Sequence, residues 1–256
     1  MAQNLVRLIR NLQRRNARRR LELAVAEGVR LVEEAVAAGV TFEGALVSPA
    51  LARTQRGTAL RGKLEQDGVA VEELSDAELA DLADTDTPQG VLAVIEPRAW
   101  SVDDLSIDAG RPVLVVDAVQ DPGNVGALIR TAHALGAGGV ILLPGNARSN
   151  HPKVLRAAMG ATFRVPVVNL KVEEFTAWLE QRLVVLWAAV AGSEDVVRVA
   201  PPRHLALLVG SEGSGVSSRL LEVAHRTVSV PMAPGVDSLN VAVAAGILLH
   251  EILRND

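Results

Sequence analysis

The sequence predicts an α/β protein whose C-terminal part is a mostly parallel sheet with helices on both faces, preceded by a smaller α/β unit. Two observations predict it. After Pro112, six apolar β-like runs (VLVVDAV, GVILL, FRVPVV, LVVLWAAV, LALLVG and TVSVPM) are interleaved with helix-like stretches or glycine-rich loops, the alternation that buries parallel strands between helical layers. Before Pro97 the signals are shorter and weaker, and PRAWSVDDLSIDAGRP between the two parts shows no sustained period and is bracketed by prolines. The expected organisation is therefore a first domain at 1–97, a linker at 98–111 and a second domain at 112–256. A chain of 256 residues that is 49% hydrophobic is long enough to bury such cores.

The opening MAQNLVRLIRNLQRRNARRR holds seven arginines and no acid. It has the arginine content of a transit peptide without its serine enrichment, since no serine precedes Ser48, and its basic residues lead into no apolar signal region. A cytoplasmic address is expected. Residues 21–38 have helix-forming composition with apolar positions recurring at three and four. FEGALVS, VAVEEL and GVLAVIE read as short strands, and Ser75-Asp76-Ala77-Glu78 has the spacing of a capping box at the start of a small helix. The apolar run from Val241 to Leu249 falls far short of the roughly 20 residues that span a bilayer, so no membrane partner is expected.

Composition excludes several chemistries. The absence of cysteine removes disulfides, thiolate catalysis and cysteine-ligated zinc. The five histidines have no HExxH-like spacing, and no metal is expected. With three phenylalanines, three tryptophans and no tyrosine, an aromatic stacking platform for single-stranded nucleic acid is not expected either. The net charge of −4 hides a segregation: Leu64 to Pro97 carries ten acids and no base, whereas Pro122 to Val172 carries Arg130, Arg148, Lys153, Arg156, Arg164 and Lys171 and no acid. An acid-free window in an acidic protein points to phosphate-rich partners over a merely solvated face.

In doubly wound sheets ligands bind outside the carboxyl ends of the strands, and three loops there draw notice. Asp121-Pro122-Gly123-Asn124 follows VLVVDAV; Asn124 suits an N-cap for a helix beginning near Val125. On that helix Val125, Leu128, Ile129, Ala132 and Leu135 form one apolar stripe, and Arg130 lies off it. Gly210-Ser211-Glu212-Gly213-Ser214-Gly215 follows LALLVG and allows close backbone approach to a ligand. Glu212 there can orient an arginine, bind a cation or cap amides. The third loop, PMAPGVDSLN, precedes the helix VAVAAGILLHEIL; Asp237 or Ser238 makes a natural N-cap, with Asn240 in the first turn. No GxGxxG or GxxxxGK[ST] fingerprint occurs, and the second strand ends Leu142-Leu143-Pro144-Gly145 without the acid that would bind a dinucleotide ribose.

DPGNVGALIRTAHALG, LLVGSEGSGV and VPMAPGVDSLNVAVAAGILLHE closely resemble the three motifs of the SpoU (TrmH) family of RNA 2′-O-ribose methyltransferases in the SPOUT superfamily. HPKVLRAAMGATFRVPV resembles the family's lysine, arginine, small-residue segment, although Ala158 stands where serine is common. The part from RRNARRRLELAVAEGVRLVEEAVAAG through TDTPQGVLAVIEP more loosely resembles the RNA-binding domain that precedes the catalytic one. The resemblance implies a SPOUT domain with a C-terminal trefoil knot, a homodimer, and S-adenosylmethionine as methyl donor. It implies a cofactor shell of Leu208, Val209, Gly210, Glu212, Gly213, Val230, Pro231, Met232, Ser238, Leu239, Asn240 and Val241, and catalytic roles for Asn124, Arg130, Glu212, Ser238 and Asn240.

The reaction so implied moves a methyl group from a sulfonium to a ribose 2′-oxygen. A guanidinium holds its proton with a pKa above about 12, so Arg130 is cast as anchor of phosphate and 2′-oxygen, with Asn124 and Glu212 orienting it. Arg14, Arg15 and Arg18 in the basic opening, with Arg130, Arg148, Lys153 and Arg156, are the candidate RNA ligands. Ribosomal RNA is expected ahead of tRNA. The rival readings are methylation of a base nitrogen and a non-catalytic RNA-binding assembly factor with a methyltransferase-like fold.

Overall fold

The computed structural model describes residues 2–13, 23–107, 110–195 and 200–254. Contacts divide the chain into two compact units, Met1–Ala99 with Asn150–Phe163, and Trp100–Ser149 with Arg164–Asp256.

The first unit contains α1 (Ala2–Gln13), β1 (Ala24–Glu27), α2 (Val29–Ala37), β2 (Thr41–Val47), α3 (Gln55–Gln66), β3 (Val71–Glu73), α4 (Asp76–Leu82) and β4 (Val91–Glu96). Its four-stranded sheet runs β1-β4-β2-β3, with β4 antiparallel to both neighbours and β3 parallel to β2. Side chains alternate along a strand, so Val91, Ala93 and Ile95 enter one core with Val32, Leu60 and Leu64, while Leu92 and Val94 enter another with Ile9, Leu46 and Leu79. The capping box forms as the spacing predicts, Ser75 and Glu78 bonding each other's amides.

The helix expected over 21–38 is a strand followed by a shorter helix. Gly28 takes φ 95°, which interrupts helical continuity, and Gln89 Oε1 accepts the Val29 amide at 2.9 Å to open α2. All four residues of β1 are buried, so the stretch lacks the alternation that would have marked a strand. α3 was not anticipated, because Gly57 and Gly62 dilute its apolar period. Gly57 is nonetheless required there, since a Cβ would lie 2.0 Å from the Leu51 carbonyl oxygen.

The second unit opens with β5 (Val113–Val116), α5 (Pro122–Leu135) and β6 (Gly139–Leu142). The chain then leaves it for α6 (Pro152–Ala158) and a 3-10 turn, Ala161–Phe163, whose Leu155 and Phe163 belong to the first unit's core. It returns with β7 (Val167–Asn169), α7 (Val172–Gln181), β8 (Val185–Asp195), β9 (Leu205–Val209), α8 (Ser218–Glu222), β10 (Arg226–Ser229) and α9 (Val241–Arg254). The six strands, all anticipated, run β10-β8-β9-β5-β6-β7 with every pairing parallel. Val113 and Val115 join a core with Phe175, Trp178, Leu179 and Leu208, into which Leu105 and Ile107 also fit. Leu114 and Val116 point the other way and are equally buried, so both sheet faces are covered. No described helix is long and apolar enough to cross a membrane.

Candidate active site

Three loops at the carboxyl edge of the second unit's sheet meet through side chains. The first turn of α5 begins three residues earlier than the sequence suggested: Asp121 is the N-cap, its Oδ1 accepting the Asn124 amide at 2.9 Å, and Pro122 takes the first helical position, where its fixed φ suits the helix and its missing N–H costs nothing. Asn124 is thereby relieved of capping. Its Nδ2 donates to Glu212 Oε1, and its Oδ1 accepts from Asn240 Nδ2 at 3.0 Å. A carboxylate only accepts, so Glu212 fixes which way the Asn124 amide faces, and that orientation leaves an oxygen for Asn240.

Asn240 in turn accepts the amides of Ala242 and Val243 on its Oδ1 at 3.0 and 3.4 Å, and its carbonyl accepts the Ala244 amide. It therefore caps α9, in place of Asp237 or Ser238. The expectation that Glu212 orients Arg130 is not met either, because Glu212 is bonded to Asn124. Arg130 is exposed on α5 and has no hydrogen bond or ion pair among the described residues.

Beside this contact lies a solvent-open cleft of about 170 Å³. Its walls come from the middle of β8 (Ala189, Val190, Ala191), the loop after β9 (Gly210, Ser211, Glu212, Gly215), β10 and its following loop (Val228, Ser229, Val230, Met232, Ser238, Leu239) and α9 (Val241, Ala244, Leu248), with Val209. The lining is largely apolar, with Glu212, Ser211, Ser229 and Ser238 as polar exceptions. That combination suits a flat apolar ring with a charged tail, as S-adenosylmethionine is.

The loop after β9 is closed on itself. Ser211 and Gly215 exchange both backbone bonds, at 3.1 and 2.9 Å, and Ser211 Oγ lies 2.8 Å from Ser214 Oγ. Gly210 permits this fold: a Cβ there would lie 2.1 Å from the carbonyl carbon and oxygen of Gly215. The far end is anchored where Ser217 donates its amide to the buried Asp117 at 2.8 Å.

Of the residues suggested for the cofactor, Val209, Gly210, Glu212, Val230, Met232, Ser238, Leu239 and Val241 line the cleft. Leu208 does not; it points into the sheet's core, as the period of two requires of Val209's neighbour. Gly213, Pro231 and Asn240 lie off the lining. Arg148 and Lys153 are exposed. Arg156 corrects the reading of the acid-free window: its guanidinium reaches Glu27 Oε2 at 3.2 Å and Asp84 Oδ2 at 2.5 Å within the first unit, so its charge is already matched. Arg14, Arg15 and Arg18 lie outside the described residues. Sequence reasoning missed the β8 wall, although the run of small residues Ala188-Ala189-Val190-Ala191 beyond Trp187 is the signal that would have found it. Among the described residues no cluster of three or more acidic or histidine side chains could hold a metal ion.

The chain matches the SpoU rRNA Methylase family over residues 111–250 and the MRM3-like substrate binding domain over residues 3–93. It is 33% identical over 244 residues to the 23S rRNA (guanosine(2553)-2′-O)-methyltransferase RlmP of Bacillus subtilis, an alignment covering 95% of this chain and 93% of that protein. With the 23S rRNA (guanosine-2′-O-)-methyltransferase RlmB of Ralstonia nicotianae it shares 35% over 196 residues, 74% of this chain and 79% of the other. Among solved structures, the AdoMet-bound rRNA methyltransferase of Sinorhizobium meliloti superposes with a TM-score of 0.84 at 31% identity, over 99% of this chain and 95% of that one. The SpoU methyltransferase AviRb of Streptomyces viridochromogenes, in complex with AdoMet, gives 0.83 at 29%, over 98% and 96%.

Proposed function

The chain belongs to the SpoU rRNA methylase family, and from that premise we propose that it methylates a ribose 2′-hydroxyl of ribosomal RNA with S-adenosylmethionine as donor. The observation that carries the reading is the Glu212–Asn124–Asn240 contact on the rim of an apolar cleft. It joins all three loops at the point where a bound cofactor and an incoming sugar would meet.

S-adenosylmethionine supplies an already activated methyl group on a sulfonium, so the protein's task is alignment of the hydroxyl and stabilisation of its developing charge. Asn124, Ser238 and Asn240 hold loop and cofactor in register, with Glu212 fixing Asn124. Arg130, uncommitted to any described partner, anchors a phosphate or the 2′-oxygen as a bidentate cation. Arg148 and Lys153 supply further phosphate contacts, as do Arg14, Arg15 and Arg18. The same reading takes residues 1–97 as the part that binds the RNA, which the match to a substrate binding domain supports. It includes a C-terminal trefoil knot, a cytoplasmic address and a homodimer; the exposed Val243 and Ile247, one turn apart on α9, support the last.

Transfer from methyl-labelled S-adenosylmethionine to ribosomal RNA tests the reading. A ribose 2′-O-methyl group blocks alkaline cleavage of its phosphodiester, so label is expected in alkali-stable dinucleotides. Label recovered on free bases would replace it with base methylation, and no transfer to any RNA would leave a non-catalytic binding protein. Arg130→Ala is expected to abolish transfer while leaving cofactor affinity, read by calorimetry, unchanged.

A further inference from the structure

At the carboxyl ends of the paired strands β5 and β6, one side chain ties the two following loops together. Asn146, on the loop after β6, donates Nδ2 to the carbonyls of Val116 and Leu143, both at 2.7 Å, and accepts the Val119 amide on Oδ1 at 2.6 Å. Backbone bonds flank it: Leu143 donates to Val116 and Ala147 to Val119, at 3.0 and 2.9 Å. The carboxamide thus acts as an extra peptide group, extending the parallel ladder of β5 and β6 beyond its last residues.

The chain it grips is strained. Ala118, between the two clamped residues, has φ 54°, a left-handed conformation that a Cβ disfavours. Such a conformation persists only where its surroundings over-determine it. Here Val116 is held through its carbonyl, and Val119 through both amide and carbonyl. Gly145, at φ 92°, brings the second loop so close that a Cβ on it would lie 3.1 Å from the Ala118 Cβ. Three residues beyond Ala118 stands Asp121, the cap that sets the first turn of α5, and three further on stands Asn124. An amide that must meet Glu212 and Asn240 together depends on where this turn delivers the helix.

We propose that Asn146 is a positioning residue for methyl transfer, holding the strained turn at Ala118 so that α5 presents Asn124 and Arg130 correctly. The inference rests on the methyltransferase reading above. Asn146 lines no part of the cofactor cleft, so its removal is felt in the rate.

In the full-length protein, Asn146→Ala is expected to lower kcat by about 100-fold, the effect of displacing a reacting group by about 1 Å, with the Kd of S-adenosylmethionine unchanged. Amide exchange should accelerate at Val119 and the first turn of α5 and stay unaltered from Gly210 to Gly215. Glycine takes the left-handed conformation without penalty, so adding Ala118→Gly to Asn146→Ala is expected to recover at least tenfold of the lost rate. A wild-type kcat in Asn146→Ala overturns the proposal. So does a fall in kcat that Ala118→Gly fails to relieve and that comes with faster exchange throughout the second unit, which assigns Asn146 to general stability. If the unmodified protein transfers no methyl group to any RNA, the methyltransferase reading itself fails, an outcome distinct from both.

Discussion

Asn240 donates its side-chain amide to Oδ1 of Asn124 at 3.0 Å, tying the start of α9 to the first turn of α5 across 116 positions of sequence. The same asparagine caps α9 through its other atom, accepting the Ala242 amide. Its two halves therefore do different work. Asn240→Ala should lose both, destabilising the second unit by about 1 kcal/mol, the usual worth of an N-cap, and weakening cofactor binding by displacing Ser238, Leu239 and Val241. Asn240→Asp keeps a capping oxygen and loses the donor; urea melting should show near wild-type stability, with methyl transfer strongly reduced.

Gly210→Ala should disable the cleft without unfolding the protein. The added methyl carbon would lie 2.1 Å from two backbone atoms of Gly215, closer than any rotamer change can relieve, so the paired bonds of Ser211 and Gly215 must open. Calorimetric titration with S-adenosylmethionine is expected to show at least a tenfold weaker Kd, while far-ultraviolet circular dichroism remains that of the parent.

Arg156 gives a prediction on stability. Glu27 keeps 3% of its side-chain surface exposed, and besides Arg156 it accepts the amides of Asp84 and Thr85 and the Thr85 hydroxyl. Removing the guanidinium leaves a buried carboxylate without its cation, which costs about 3 kcal/mol. Arg156→Ala should therefore lower the urea midpoint of the first unit; Arg156→Lys keeps the cation and should lower it less, but still lower it, since one ammonium cannot serve Glu27 and Asp84 with the geometry of a planar fork.

The capping box of α4 sets a pH dependence. The Ser75 hydroxyl, at 2.7 Å, and then the Ser75 amide, at 2.9 Å, hold the Glu78 carboxyl below the usual carboxylate range. A folded pKa below the unfolded one means that the contribution is fully present above the unfolded value, near 4, and disappears as pH falls through the folded value. Glu78→Gln should accordingly lower stability slightly at neutral pH, where the carboxylate contributes, and flatten the acid limb of a stability–pH curve below about pH 5, where the contribution is already being lost. Because the group is exposed, the difference should shrink in high salt.

Strand order beyond the alternation of types was not legible in the sequence, but the six strands of the second sheet were, because buried parallel strands such as Leu205–Val209 are continuous apolar runs. In the first unit β1 is equally apolar but only four residues long, and only its pairing with β4 separates it from a helical turn. The chemistry-bearing residues Asn124, Glu212 and Asn240 could be picked out by their places after strand ends. Their partners could not. Asn124 and Asn240 exchange roles with Asp121 and Ser238 in capping, since an oxygen one to three residues ahead of a helix can serve from several positions, and packing chooses among them. Asn146 was invisible for a different reason: an asparagine in a glycine loop is an ordinary turn residue until the fold brings Val116, Val119 and Leu143 to it as backbone partners. Nothing in VLRAAMGATF, likewise, says which core Leu155 and Phe163 will enter.

That last feature bears on how the protein is made. Leu155 and Phe163 complete a core whose other members all precede residue 97. The core of the N-terminal body is therefore incomplete while only its own first hundred residues have left the ribosome. Its last two members follow β5, α5 and β6 of the other body along the chain, which couples the two halves in order of synthesis. Cutting the gene at the proline-bracketed segment would release an N-terminal fragment whose core lacks Leu155 and Phe163.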